Sequence, residues 1–166
     1  MKIIGLAGWS GAGKTTLLTR LIPCLNGRGI SVSTIKHAHH AFDVDRPGKD
    51  SYEHRAAGAR QVLVSSAKRW ALMTEHRGAA EPSLHELLAQ LSPVDLVIIE
   101  GFKREGHPKI EVHRAANGQP WLYPQDPLIL TIASDVTPPP GAPPYLALDD
   151  IDAIAKAALR LATDRL

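Results

Sequence analysis

The stretch Gly8-Trp9-Ser10-Gly11-Ala12-Gly13-Lys14-Thr15 constrains this chain more than any other. Glycines five apart followed directly by lysine and a hydroxyl residue complete the pattern of a phosphate-binding loop. The flanks agree with it. Lys2-Ile3-Ile4-Gly5-Leu6-Ala7 reads as a short buried strand, and Thr16-Leu17-Leu18-Thr19-Arg20-Leu21-Ile22 reads as a helix. Gly8, Gly11 and Gly13 let backbone N–H groups close around an anion. The helix that follows adds its unpaired N–H groups and the positive end of its dipole. In this pattern Lys14 reaches the β- and γ-phosphates and the Thr15 hydroxyl is a ligand for Mg²⁺. Trp9, Ser10, Ala12 and Thr16 complete the nucleotide-binding stretch. Trp9 has two readings, one beside the nucleotide or a partner, the other as local aromatic packing.

At 166 residues, one domain spanning residues 1–166 is expected. The 19 basic and 17 acidic residues are mixed along the chain with no run of five like charges. Dedicated nucleic-acid binding is therefore not expected. Apolar runs are strand-sized and no signal-peptide pattern precedes the first strand, so the expectation is a cytoplasmic protein without a membrane segment. The lone Cys24 is read as a buried thiol of the first helix.

The first helix carries Leu17, Leu18, Leu21, Ile22 and Leu25 at helical spacing, with Gly29 placed to end it and Pro23 expected to kink it. Ile30–Lys36 alternates as a second strand, parallel to the first after a right-handed crossover. Asp50 or Ser51 is placed to cap a short helix that ends at Gly58. Gln61–Ser65 and Arg69–Thr74 are β-rich runs expected to pair, with Trp70 in packing. Ser83 and Glu86 have capping-box spacing before Leu84, Leu87, Leu88 and Leu91. Lys109–His113 and Leu128–Ala133 read as further strands, and the proline-rich run 137–144 as a surface connection. Asp149 is placed to cap a last helix carrying Ile151, Ile154, Ala158, Leu159 and Ala162.

Asp95-Leu96-Val97-Ile98-Ile99-Glu100-Gly101-Phe102 is the second informative stretch. It is continuously apolar, as in a strand buried on both faces, and ends in a carboxylate and a glycine. An acidic residue at such a strand tip holds Mg²⁺ or positions the attacking water, which makes Glu100 the catalytic partner of Lys14. Asp95 is read as the strand-entry residue. The fold class expected is α/β, a P-loop NTPase three-layer α/β/α arrangement with a mostly parallel central sheet plus a β-hairpin extension.

Three functions share a phosphate loop: an adaptor NTPase, a metallochaperone, and a small-molecule kinase using ATP. The metallochaperone reading rests on His37, His39, His40, Asp43 and His54, whose imidazoles and carboxylate suit a divalent metal. The same segment equally serves as a polar loop contacting ligand or partner. Trp121 lies in a turn-rich stretch and receives no functional role.

Beyond the loop itself, Ile35-Lys36-His37-Ala38-His39-His40, Asp45-Arg46-Pro47-Gly48-Lys49-Asp50-Ser51, Ala56-Ala57-Gly58-Ala59, Arg69-Trp70-Ala71-Leu72-Met73-Thr74 and Leu96-Val97-Ile98-Ile99-Glu100-Gly101-Phe102-Lys103 follow in order. With them the chain resembles, over nearly its whole length, the molybdopterin-guanine dinucleotide biosynthesis protein B family, adaptors of molybdenum cofactor maturation. The resemblance implies a GTP-binding fold with weak GTPase activity; Thr15, Glu100 and Asp50 are the candidate ligands for its Mg²⁺. It also implies a homodimer that associates with the guanylyltransferase attaching GMP to molybdopterin, and with molybdopterin itself. Related GTPases read guanine with an Asn/Thr-Lys-x-Asp run. Ile132-Ala133-Ser134-Asp135 stands at that place, with Asp135 matching the base acceptor and the Asn and Lys positions departing from it. Arg46 and Arg104 are among the arginines available to serve catalysis.

Overall fold

A computed structural model describes residues 1–38, 42–102 and 105–164. His39, His40, Lys103 and Arg104 lie outside the described residues. The chain forms two compact units, Met1–His37 with Leu84–Leu166, and Ala38–Ser83.

The larger unit is built on a seven-stranded sheet. Its strands are β1 (Lys2–Ala7), β2 (Val32–Lys36), β5 (Leu96–Glu100), β6 (Lys109–His113), β7 (Ile129–Ser134), β8 (Tyr145–Ala147) and β9 (Thr163–Asp164), with β3 (Gln61–Ser65) and β4 (Trp70–Thr74) in the other unit. The order β2-β5-β1-β6-β7-β8 is parallel throughout, and β9 pairs antiparallel with Lys2 and Ile3 of β1. The second strand thus runs parallel to the first with β5 between them. The proline-rich run ends in β8, a strand that the alternation rule missed because its three residues are too few to show a period.

Helices cover both faces because the strands alternate apolar side chains to each. On one side Ile4, Leu6, Leu96, Ile98, Ile110 and Val112 pack with Leu17, Leu21 and Leu25 of α1 (Lys14–Asn26) and Ile154, Ala155 and Ala158 of α4 (Ile151–Leu161). On the other, Ile3, Val97 and Ile99 meet Leu84 and Leu88 of α3 (Leu84–Ala89). Each Leu, Ile or Val among them, fully buried, contributes about 1.5–3 kcal/mol. This is the three-layer α/β/α arrangement with a mostly parallel sheet.

Helix α1 runs through Pro23 without interruption. It closes on Gly29, at φ 76°, where the N–H of Gly29 reaches the Asn26 carbonyl at 2.9 Å and that of Ile30 reaches Leu25 at 3.2 Å. A left-handed glycine and this bond pair are the signature of a Schellman end. Cys24 is only partly buried. The α4 cap is Asp150, whose carboxylate accepts from the Ala153 N–H at 3.0 Å, one residue beyond the expected Asp149. Asp95 ties the starts of β2 and β5, accepting from the Ser31 N–H at 2.8 Å and its hydroxyl at 2.6 Å.

In the smaller unit α2 (Asp50–Ala56) precedes an antiparallel hairpin of β3 (Gln61–Ser65) and β4 (Trp70–Thr74), the expected extension. Lys49, not Asp50 or Ser51, stands at the α2 N-cap; the Ser51 hydroxyl instead donates to Asp45 at 2.9 Å. Arg55 bridges Asp43 at 2.7 Å and Glu75 at 3.2 Å. Trp70, expected in packing, is 64% exposed.

Strand β6 departs from the rule that buried parallel strands are apolar. All five of its residues are buried, yet Lys109, Glu111 and His113 alternate with Ile110 and Val112. Lys109 is paired with Asp126 at 3.0 Å and donates to the Glu105 carbonyl at 3.0 Å. His107 lies beside it, 1% exposed. Burial, with the nearby Lys109 charge, holds the His107 imidazole down at about 4. An imidazole kept neutral by the fold contributes stability that is complete above the ordinary value and is lost as pH falls through the folded one. Between pH 6.5 and 4 the expected loss is about 3 kcal/mol. Urea unfolding at pH 7.5 and pH 4.5 measures it, and His107→Gln, which does not titrate, is expected to flatten the difference.

Candidate functional site

The turn after β1 has the backbone that a phosphate loop needs. Gly8, Gly11 and Gly13 all have positive φ, at 151°, 79° and 93°. At Gly8 a Cβ would fall 2.6 Å from the Val112 carbonyl oxygen, a contact with backbone that cannot move aside. At Gly13 it would fall 2.6 Å from Arg114 Nε. Ala12 is buried beneath the loop, and the Ala12 N–H closes the turn on the Trp9 carbonyl at 3.1 Å. Gly13 stands at the N-cap of α1, so the first N–H groups of that helix open next to it.

Lys14 and Glu100 come together across the sheet. Parallel pairing of β1 with β5 sets Leu6 opposite Glu100, and pairing with β2 sets Lys36 on its other side. The Lys14 ammonium lies 3.9 Å from a Glu100 carboxylate oxygen, both side chains largely buried. It also donates to the carbonyls of Gly8 at 2.7 Å and Trp9 at 3.0 Å. Thr15 follows directly and is exposed. Thr15 and Glu100 offer only hard oxygen donors, and Mg²⁺ at phosphate sites takes one or two such protein ligands, the rest being phosphate and water. The donor set therefore fits Mg²⁺ with a nucleotide, and such a metal would neutralise charge on the transferring phosphoryl group.

Residues 113–125 buttress the loop, a feature not anticipated from the sequence. The buried Glu111 carboxylate accepts from the Leu122 N–H at 2.7 Å and the Tyr123 N–H at 2.9 Å. Burial pushes the Glu111 carboxyl above the ordinary glutamate range, outweighing the two N–H bonds and His113, which pull it down. The His113 ring stacks on Trp121 with centroids 3.6 Å apart. Asn117 Nδ2 donates to the Ser10 carbonyl at 3.0 Å, and Trp9 Nε1 to the Pro120 carbonyl at 2.8 Å. Trp9 thus has a hydrogen-bond partner within the chain, and Trp121 a stacking one. The one signal available was the charged alternation of Lys109, Glu111 and His113 in a strand otherwise expected to be apolar.

Asp135 ends β7, and its Oδ1 accepts from the Ala115 N–H at 2.9 Å. Asp50 opens α2 in the smaller unit, where an acid favours the helix N-terminus. Asp43 is engaged by Arg55, which holds its carboxyl below the ordinary aspartate range. His37 follows β2 and its ring lies 4.9 Å from that of Phe102. Among the described residues no group of three or more His, Cys, Asp or Glu side chains converges on a metal site. None of their helices is long and apolar enough to cross a membrane.

A family model described as molybdopterin guanine dinucleotide synthesis protein B matches residues 3–135. A molybdopterin-guanine dinucleotide biosynthesis adapter protein of Escherichia coli K12 is 49% identical over 137 residues, 81% of this chain and 78% of that protein. Its counterpart in Haemophilus influenzae is 45% identical over 136 residues, 80% of this chain and 74% of that protein. A crystal structure of molybdopterin-guanine biosynthesis protein B aligns over 96% of this chain and 97% of its own, with a TM-score of 0.70 and 28% identity. The fold is shared with a Bacillus subtilis protein of the same name at TM-score 0.72 and 23% identity, over 99% of this chain and 100% of that one.

Proposed function

The chain belongs to the molybdopterin guanine dinucleotide synthesis protein B family, and on that premise we propose that it is a GTP-binding adapter with weak GTPase activity that assists GMP attachment to molybdopterin. The observation that carries the reading is the meeting of Lys14 and Glu100 at the mouth of a complete phosphate loop. In this reading the loop N–H groups and Lys14 hold the phosphates, Thr15 and Glu100 hold Mg²⁺, and Asp135 faces the base. Asp50, the remaining acid expected for the metal, is kept only as a candidate. The guanylyltransferase that attaches GMP is the partner, with molybdopterin as its cargo and the cytoplasm as the setting.

The protein acts as a homodimer. Supporting this, the hairpin of the smaller unit leaves Leu63, Val64, Trp70 and Leu72 exposed, apolar surface of the kind that marks protein interaction sites. A second copy of the same hairpin is the matching cover.

Hydrolysis by the isolated protein is expected to be slow, about 10⁻⁴ s⁻¹, the rate of P-loop GTPases without a helper residue. Calorimetric titration with GTP and ATP, with and without Mg²⁺, tests the nucleotide, and a nucleotide-dependent pull-down of the guanylyltransferase tests the partner. Fast unaided turnover, or capture independent of nucleotide, counts against the adapter reading. Glu100→Gln is expected to lower Mg²⁺-dependent turnover about 100-fold while changing GTP affinity little, because the amide keeps the shape but removes the charge facing the metal. Single-turnover hydrolysis beside calorimetry reads the two effects apart.

A further inference from the structure

Arg114 was not among the residues expected at this site, yet its guanidinium fills the space that a side chain at Gly13 would take. Its Nε lies 2.6 Å, and its Cζ 3.5 Å, from the Cβ position of that glycine. Gly13 is the N-cap of α1, and Lys14 follows it. The first turn of α1 contains no acidic residue. A guanidinium here therefore stands at the positive end of a helix dipole, an arrangement that its own charge disfavours. Among the described residues no carboxylate pairs with it, although the side chain is half-buried.

The backbone that carries Arg114 is held on every side. The next N–H, of Ala115, is bound to Asp135 at 2.9 Å, and the Arg114 carbonyl accepts from the Asn117 N–H at 3.0 Å. Asn117 in turn holds the Ser10 carbonyl of the phosphate loop at 3.0 Å, and His113, on the other side, is stacked on Trp121. A cation carried on a backbone held by these contacts, with its guanidinium against Gly13 of the phosphate loop, is placed to share a ligand with that loop. We propose that Arg114 is a phosphate-binding residue supplied in cis, whose guanidinium contacts the α- and β-phosphates of the nucleotide seated on Gly13. The assignment rests on the nucleotide reading above and adds a residue to it. The choice of phosphates follows from position. The N–H groups of the loop cradle α and β, while Lys14 reaches β and γ. A planar guanidinium offers two parallel donors to phosphate oxygens, which a lysine does not.

The test is calorimetry on the full chain with GTP, GDP and GMP at fixed salt and Mg²⁺. Arg114→Ala is expected to weaken GTP and GDP by the same factor, about 10- to 100-fold, the size of one lost charged contact. Arg114→Lys is expected to recover part of that loss, and the salt dependence of binding is expected to fall in the alanine variant. Thermal melting without nucleotide is expected to stay near wild type, which separates a ligand contact from a structural one. Should the alanine variant fail to fold, Arg114→Gln, of similar reach, gives the same readout. Equal affinity of variant and wild type, or a loss confined to GTP, overturns the assignment while leaving the nucleotide reading intact. A wild-type chain that binds neither GTP nor GDP overturns both.

Discussion

Lys14→Ala is expected to lower GTP affinity about 100-fold or more, the largest effect of any single substitution at the loop. One ammonium addressing two phosphates makes two charge-assisted contacts at about 1.5–3 kcal/mol each, and 1.4 kcal/mol is a factor of ten in affinity. The fold should survive the change. Yet the ammonium is not merely facing solvent, since it holds the carbonyls of Gly8 and Trp9 and stands beside Glu100. A stability loss of about 1 kcal/mol is therefore expected as well, the worth of a modest intramolecular hydrogen bond. Calorimetry with GTP gives the first number and urea unfolding the second. Wild-type affinity in a folded variant would remove the loop from nucleotide binding.

Glu111→Ala is expected to destabilise the chain by about 3 kcal/mol, a large effect for a residue that touches no ligand in the proposed mechanism. The carboxylate is the acceptor for both the Leu122 and Tyr123 N–H groups. Its loss leaves two donors in a largely enclosed place without their acceptor, and each such orphan costs about 1–3 kcal/mol. The damage does not stay local. The segment it fastens carries Asn117 and Pro120, whose bonds to Ser10 and Trp9 steady the phosphate loop. GTP affinity is expected to fall with stability, whereas in Lys14→Ala it falls almost alone. Glu111→Gln, with one carbonyl for two donors, is expected to lie between alanine and wild type. Denaturant midpoints and GTP titrations of the three proteins decide it, and an unchanged midpoint in the alanine variant would mean that residues 113–125 hold their place by packing alone.

Much of the molecule was legible in the residues taken in order. The phosphate loop, the Glu100 strand, the paired β-runs and the helices on both faces are written in short spacings, which backbone geometry converts directly into structure. The loop glycines have the positive φ that their spacing demanded, and Gly29 ends α1 where a left-handed residue was needed. Family membership was legible for a related reason, because blocks of residues in fixed order survive as sequence. Caps were harder. Asp149 and Asp150 are both acceptable cap residues by type, and only the path of the chain into α4 selects Asp150. At α2 the backbone enters through Lys49, and Ser51 turns its hydroxyl to Asp45 instead.

Sequence by itself determined that this chain would wrap a phosphate loop in a parallel sheet, since those signals span fewer than ten or so residues and are enforced locally. Tertiary structure alone decided which side chains stand around that loop. Arg114 reaches Gly13, Asn117 reaches Ser10 and Pro120 reaches Trp9 because β6 lies beside β1 in the sheet, a neighbour about a hundred residues away along the chain. Alternation in β6 announced two faces but could not say what would cover the polar one. Lys109, Glu111 and His113 are buried there because Asp126, the N–H groups of Leu122 and Tyr123, and the ring of Trp121 arrive to satisfy them. Burying polar groups is tolerable only once those partners are in place, and which partners arrive is a property of strand order, not of any window of residues.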